Sequence, residues 1–243
     1  MQALPGWFWV AEVAGVAGLI SAIAVVLYRG ARRQRNQLVA GTVVALGGWL
    51  LISAYLADSG FYRARPDQGP AALGAAAAAV LVAALAATLI PSVRASFGAP
   101  GSLARITALQ SYRVIGGLFL VALALGQVPA LFALPAGLGD VAVGIAAPFV
   151  ARRLTRDPSA RAGALSFHLL GLLDLVVAVS LGVLAAPGNL RVLEVAPSTV
   201  QLTVLPLTLI PTVAVPVVAV LHLVALRQLR RAPATSAASL VAA

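Results

Sequence analysis

Long apolar stretches separated by short polar segments run through the chain from its first residues to about position 226. A helix needs about 20 predominantly apolar residues to cross the ~30 Å hydrocarbon core of a bilayer. The pattern supplies seven stretches of about this length. They predict membrane-spanning helices at Trp7–Tyr28, Gln37–Ala57, Ala71–Ile90, Leu109–Gly126, Leu134–Ala151, Ala164–Ala185 and Leu202–Leu226.

No interval between these stretches could hold a separate soluble domain. We therefore predict an all-α integral membrane protein with one seven-transmembrane-helix bundle over residues 1–231 and a disordered cytoplasmic tail over residues 232–243. Turn residues between Gln127 and Gly137 predict a tight hairpin between the fourth and fifth helices, with a partly re-entrant segment as the alternative. The alanine-rich third helix is expected to lie centrally in the bundle.

The distribution of arginine predicts how this bundle is oriented. Thirteen arginines follow the first, third, fifth and seventh stretches, whereas three follow the second and sixth. Because cytoplasmic loops carry the excess of basic residues, this asymmetry predicts an N-terminus outside and a C-terminus in the cytoplasm. The expected location is the plasma (inner) membrane.

Composition narrows the class of protein and excludes several cofactors. Hydrophobic residues make up 61% of the chain and charged residues 10%, against about 25% charged residues in soluble domains. The net charge of +10 comes from arginine alone and is explained by orientation, so no nucleic-acid partner is expected. The absence of cysteine excludes thiolate metal sites and covalently attached c-type haem. The absence of lysine excludes a retinal Schiff base, although the predicted topology is that of rhodopsins.

Ionisable residues within predicted spans are the candidate functional residues, because charge in hydrocarbon is costly. Depths counted from the predicted helix ends divide these residues into two groups. The outer group is Glu12 and Asp140, which have no obvious cationic partner. The inner group is Gln110, Arg113, His168, His222 and the slightly deeper Asp174.

Helical spacing predicts which of these side chains share a face. On an ideal α-helix Gln110, Arg113 and Gly117 lie on one side, at i, i+3 and i+7. An ion pair between Arg113 and Asp174 would neutralise both groups, whereas a snorkelling Arg113 would reach the headgroups instead. The simpler interpretations are an interfacial Glu12 and a His222 that only complements its helix dipole.

A short sequence pattern recurs around the two aspartates. Residues 137–143 and 171–177 both read GLxDxxV, which a duplicated transporter half would place in corresponding helices. Chance explains such a match about as well, because the surrounding sequence is mostly alanine, leucine and valine.

Three function classes remain open on these residues. The first is a binding or transport protein whose polar cavity takes a small anionic or lipid-like ligand at Gln110, Arg113, His168 and His222, with proton coupling through Asp174 or Asp140. The second is an intramembrane enzyme in which Glu12, Asp140 or Asp174 acts as a general acid on a lipid or isoprenoid, as in terpene-cyclase-like chemistry. The third is a structural or regulatory membrane subunit.

Expected partners follow from these hypotheses. They are the lipid bilayer and a small-molecule or lipid ligand, and a homo-oligomer stays open because seven helices are few for a carrier. No metal site is expected. Haem held by His168 and His222 is a minor option, since two histidines at similar depth on neighbouring helices are the minimum for axial ligation.

Overall fold

The structure is a computed structural model that describes residues 4–31, 33–157 and 160–230. Within these ranges the regular structure is helical, with one isolated bridge between Arg65 and Gly69. The α-helices are α1 Gly6–Gly30, α2 Arg35–Asp58, α3 Ala71–Ala87, α4 Pro91–Gly98, α5 Ser102–Leu109, α6 Leu118–Ala124, α7 Ala130–Arg156, α8 Arg161–Leu184 and α9 Val215–Arg230. Other helical segments are the 3₁₀ segments Gln110–Gly117 and Thr199–Thr203 and the π-helix Ile210–Ala214. The predicted tail at 232–243 lies outside the described residues.

The helices have the length and composition of membrane spans. Six segments of the described chain are long and apolar enough to cross a membrane. A seventh is present if α3 and α4, which meet at an angle of 79°, count as one bent span. Large apolar side chains such as Val44, Leu51 and Leu170 are 62–73% exposed on the outside of the bundle. The chain therefore has the all-helical architecture of an integral membrane protein.

Several of the predicted spans have different ends in the structure, and proline explains the early end of the third and the late start of the seventh. Pro91 holds Ile90 in an extended conformation (φ −59°, ψ 126°), so α3 ends before the predicted Ile90. The last continuous helix begins at Ile210 rather than Leu202, because Pro206 cannot donate a backbone hydrogen bond. The fourth span extends from Ser102 to Ala124 and so begins seven residues before the predicted Leu109, in a segment whose serine, threonine and Arg105 mask its apolar face.

The predicted hairpin between the fourth and fifth spans is present and shorter than expected. The chain turns between Ala124 and Ala130, with Pro129 as the N-cap residue of α7. Pro135 and Gly137, predicted to lie in the turn, are inside α7 instead. The central position expected for α3 is also wrong: this helix buries only Leu73 and Val80, because it packs on α9 and the π-helix while an open groove separates it from α2.

The most extensive contact in the described bundle joins α7 to the 3₁₀ segment Gln110–Gly117. A Cβ atom on Gly144 would lie 2.6 Å from the backbone nitrogen of Val114, and one on Gly137 would lie 2.8 Å from the side chain of Leu120. Small residues are the usual means by which membrane helices bring their backbones together. These glycines thus allow a polar segment to lie directly against α7.

Most of the described arginines outside the bundle centre lie at one end of it, the arginine-rich end, where α1, α7 and α9 end and α2, α5 and α8 begin. At this end Ser102 at the start of α5 is 3.3 Å from Gln228 of α9, measured from Oγ to Oε1. The guanidinium of Arg161 donates to the carbonyl oxygen of Gln228 at 2.9 Å. The end of α1 packs here against α4, where Gly30 meets the backbone of Ser96.

The packing of α7 predicts the effect of Gly144→Ala. We expect this change to lower the free energy of unfolding by about 1–3 kcal/mol, because the new methyl group must push the 3₁₀ segment away from α7. The matched control is Gly48→Ala in α2, where an added Cβ meets no atom within 4 Å and better helix propensity should stabilise the protein by about 0.5–1 kcal/mol. Unfolding in detergent, followed by circular dichroism, measures both. Equal effects of the two changes would contradict this packing.

Candidate functional site

The 3₁₀ segment in the middle of the fourth span positions Arg113. With three residues per turn, side chains at i and i+3 are eclipsed. Gln110, Arg113 and Gly116 are accordingly the buried residues of this segment. The α-helical prediction that Gly117 completes this face is therefore wrong, because the tighter winding places Gly116 there.

Arg113 lies at the centre of a network of buried hydrogen bonds. Its Nε donates to Oδ1 of Asp140 at 2.6 Å, and its Nη2 donates to Oδ2 of Asp174. Its Nη1 donates to the carbonyl oxygen of Gly171 at 2.9 Å. Arg113 is only 3% exposed, so it pairs with carboxylates and does not snorkel. We refer to Arg113, Asp140 and Asp174 as the charge centre.

Asp140 lies with Arg113 and not in an outer group with Glu12. The sequence interpretation counted its depth from Leu134, whereas α7 begins at Ala130 and so places Asp140 a full turn deeper. Arg113 is also deeper than expected, because its span begins at Ser102. Both shifts bring the side chains to a common level near the middle of their spans.

Three glycines provide the space that the network occupies. A Cβ atom on Gly116 would overlap the carboxyl group of Asp140, and one on Gly139 would overlap that of Asp174. A Cβ atom on Gly171 would overlap the ring of His222 and approach Nη1 of Arg113 to 3.2 Å. Sequence reasoning missed the roles of Gly116 and Gly139. The GLxDxxV pattern pointed only to Gly171, because its glycine lies three residues before each aspartate and its variable position holds Gly139.

The two histidines extend the network toward the arginine-rich end. Nη1 of Arg113 lies 3.4 Å from Nε2 of His222. Nδ1 of His222 lies 2.9 Å from Nδ1 of His168, whose Nε2 lies 3.0 Å from the hydroxyl of Thr107. That hydroxyl donates to the carbonyl oxygen of Leu103 at 2.8 Å.

The direction of this chain assigns a tautomer to each ring. The Thr107 hydroxyl uses its proton on Leu103, so it accepts from Nε2–H of His168. His168 then accepts at Nδ1 from Nδ1–H of His222, which in turn accepts at Nε2 from Arg113. Every ring nitrogen has a partner when both imidazoles are neutral.

The two imidazole rings of His168 and His222 contact each other directly, which leaves no space for a metal ion between their facing nitrogens. A metal ion bound by two imidazole nitrogens at about 2.0–2.1 Å each holds them about 4 Å apart when they ligate from opposite sides. The facing nitrogens of His168 and His222 are 2.9 Å apart and share a hydrogen bond. Within the described residues, no three His, Cys, Asp or Glu side chains are grouped to hold a metal ion.

Two candidate residues lie outside the network. Glu12 is fully buried, and neither of its carboxyl oxygens has a hydrogen-bond partner in the part of the chain that the structure describes. Gln110 is also fully buried, and its amide nitrogen and oxygen are unpartnered in the same sense. The structure thus brings together Arg113, Asp140, Asp174, His168 and His222, but not Glu12 or Gln110.

Two cavities lie beside Asp140. One of about 30 Å³ is lined by Tyr112, Arg113 and Asp140 and is large enough for a water molecule. The other, of about 130 Å³, is the Asp140 pocket. Its walls are largely apolar and come from α3, α6, α7, α8 and the π-helix, and Thr199 and Thr203 add two hydroxyl groups.

Comparison with known proteins assigns the chain to a family. Residues 70–230 match the model of a family described as Domain of unknown function (DUF8737). The chain belongs to this family. The DUF8737 region runs from α3 to α9 and contains the charge centre and both histidines, whereas Glu12 in α1 lies outside it. The chain matches no curated protein and no solved structure.

The charge centre predicts a large effect of Arg113→Gln. We expect the free energy of unfolding to fall by about 3–5 kcal/mol, because two buried carboxyl groups lose their cation. Adding Asp140→Asn and Asp174→Asn to this variant should restore part of the loss. Arg152→Gln, at an exposed arginine of α7, is the control. Thermal unfolding in lipid nanodiscs measures the stability of all three variants. If Arg113→Gln lowers the stability no more than Arg152→Gln does, the result would contradict the charge centre.

The hydrogen-bond chain predicts different tautomers for the two histidines. Solid-state ¹⁵N NMR should find His222 protonated at Nδ1 and His168 protonated at Nε2, because only this arrangement satisfies every partner. Replacing Thr107 with valine should perturb the His168 signals most. Two rings in the same tautomer, or a doubly protonated ring, would contradict the assignment.

Proposed function

We propose that the chain is a multi-pass protein of the plasma (inner) membrane, with its N-terminus outside, that binds or transports a small lipid-like ligand together with a proton. The charge of the buried centre carries this proposal. Two carboxyl groups share one guanidinium, and the histidines bond as neutral rings. Hydrocarbon favours a neutral centre. One proton on either aspartate would make it neutral.

The two carboxyl groups offer this proton different surroundings. Asp140 lines the Asp140 pocket and the small cavity, whereas the carboxyl group of Asp174 lies against Gly139. A proton on Asp140 weakens its bond to Arg113 and gives the pocket a neutral wall. A proton on Asp174 leaves an ionised carboxylate at the pocket. Apolar ligand binding and protonation of Asp140 should therefore favour each other.

The pocket supports a lipid-like ligand more than an anionic one. The guanidinium of Arg113 already donates to two carboxylates, a carbonyl oxygen and an imidazole, so little of it is left for a ligand anion. The pocket measures about 130 Å³, below the ~300–1,000 Å³ of typical ligand pockets. It suits a small apolar molecule or one segment of a lipid chain.

A π-helical turn in the last span lies next to this pocket. Ile210 and Pro211 of the π-helix line the pocket, and Pro216 follows in α9. Proline removes a backbone hydrogen bond, and π-helical turns occur frequently at functional sites. A ligand in the pocket would touch the point where this span can bend.

Uptake into proteoliposomes tests the proposal. The probe is a fractionated membrane-lipid extract, and uptake is measured by mass spectrometry with and without an imposed proton gradient. We expect a gradient-dependent fraction, with uptake reduced to the level of protein-free liposomes in Asp140→Asn and Asp174→Asn. Gly74→Leu should also reduce it, because Gly74 lines the pocket and has free space around it.

Matched controls separate this result from misfolding. Glu194→Gln removes an exposed carboxyl group outside the helices, and Gly163→Leu adds a side chain in open space away from the pocket. Both should leave uptake unchanged. Gradient-independent uptake, or uptake unaffected in both aspartate variants, would refute proton coupling. Aspartate variants that change stability alone would favour the structural-subunit hypothesis.

One observation favours an intramembrane enzyme as the second candidate. Asp140 shares the pocket with Phe119 and Phe132, whose rings meet edge to face at 78° with centroids 5.0 Å apart. A carboxylic acid can protonate an alkene or epoxide, and aromatic faces stabilise the resulting cation. Incubation with isoprenoid alkenes and epoxides should then yield a product that Asp140→Asn abolishes and Glu194→Gln preserves. Absence of product for every isoprenoid tested would reject this candidate.

A further inference from the structure

A large apolar groove separates α2 from α3 near the arginine-rich end. The groove measures about 590 Å³, within the usual range for small-molecule sites. Side chains of α1 and α9, including Leu27 and Leu221, form its floor. Trp49 of α2 and Val80 of α3 are among the side chains of its two walls. It remains open because α2 packs mainly on α1 and the π-helix.

A cationic cavity continues the α2–α3 groove at one end. This cavity of about 130 Å³ shares Thr88 and Phe97 with the groove. Its other walls include Arg94 of α4 and Arg227 of α9. Both arginines are exposed, and no carboxylate pairs with either within the described residues. We refer to this cavity as the arginine limb.

The bend between α3 and α4 creates this arrangement. Pro91 begins α4 after a turn of 79°, so α4 leaves the line of α3 and places Arg94 near the end of α9. Helices α1 and α9 end at this level with Arg29 and Arg230 in their last turns. Arginines at helix ends are typical of the headgroup region. The apolar groove thus lies at acyl-chain depth and the arginine limb at headgroup depth.

We infer that the groove and the arginine limb together bind one anionic phospholipid, with an acyl chain along the groove and its phosphate between Arg94 and Arg227. Basic pockets between membrane helices are known to bind acidic headgroups. Charge argues against a second copy of the chain as the occupant. The exposed acidic residues Asp58, Asp67 and Glu194 lie in or beside the loops at the opposite end of the bundle. Asp157, at the arginine-rich end, is only partly exposed and already interacts within the chain. This site is separate from the charge centre and does not depend on the proposed function.

Native mass spectrometry of the detergent-purified full chain tests the inference. The probes are dioleoylphosphatidylglycerol, which is anionic, and dioleoylphosphatidylcholine, which has no net charge. We expect the anionic lipid to remain bound at concentrations at which the zwitterionic lipid does not. The double variant Arg94→Gln/Arg227→Gln should weaken binding of the anionic lipid on the order of tenfold or more, since both cationic partners of its phosphate are lost.

A second variant tests the apolar half of the site. Gly41→Leu fills the groove and should reduce binding of the anionic lipid, and it should fold because an added Cβ at Gly41 meets no atom within 4 Å. Gly47→Leu is its control on the same helix, outside the groove and also in open space. Arg63→Gln/Arg65→Gln, at exposed arginines of the opposite end, is the control for the double variant.

Three results would overturn the inference. The first is equal binding of the two lipids by the unaltered chain. The second is loss of binding in the control variants as large as in the test variants. The third is a dimer in detergent that added phosphatidylglycerol leaves intact and that Gly41→Leu dissociates, because it would assign the groove to a second copy.

Discussion

A guanidinium group buried among membrane-spanning helices needs hydrogen-bond acceptors on each side it presents, and the bundle is arranged to supply them to Arg113. Asp140 comes from α7, Asp174 and the Gly171 carbonyl from α8, and His222 from α9. Glycines leave the space that these partner groups occupy. Removing one member of such a buried network costs several kcal/mol, so the packing of four elements depends on one cation.

The rule that charge is costly in hydrocarbon identified most of this site from sequence. It selected Arg113, Asp174 and the histidines, and the pairing of Arg113 with Asp174 is present in the structure. It misplaced Asp140, because α7 starts four residues before the predicted Leu134. An error of one turn in the start of a helix is small, but it changes the expected hydrogen-bond partner of a side chain. The reason is that one turn moves the side chain about 6 Å along the helix.

Other features follow from tertiary packing that periodicity does not encode. The 3₁₀ winding of Gln110–Gly117 exchanges Gly117 for Gly116 on the buried face, and no sequence pattern distinguished it from α-helix. The contact between His168 and His222 depends on ring orientation as well as depth. The match to the DUF8737 family covers only part of the bundle. The matched helices α3 to α9 hold the charge centre, whereas α1 and α2 lie outside the matched residues and help form the groove.

Aspartates from two helices hold one guanidinium, and a distance measurement tests this arrangement directly. Solid-state NMR on protein labelled with ¹⁵N-arginine and ¹³C-aspartate in lipid bilayers detects through-space couplings between guanidinium nitrogens and carboxyl carbons. We expect the Arg113 nitrogens to couple to two carboxyl carbons, one coupling being lost in Asp140→Asn and the other in Asp174→Asn. Coupling of Arg113 to one carboxyl group or to none would contradict it.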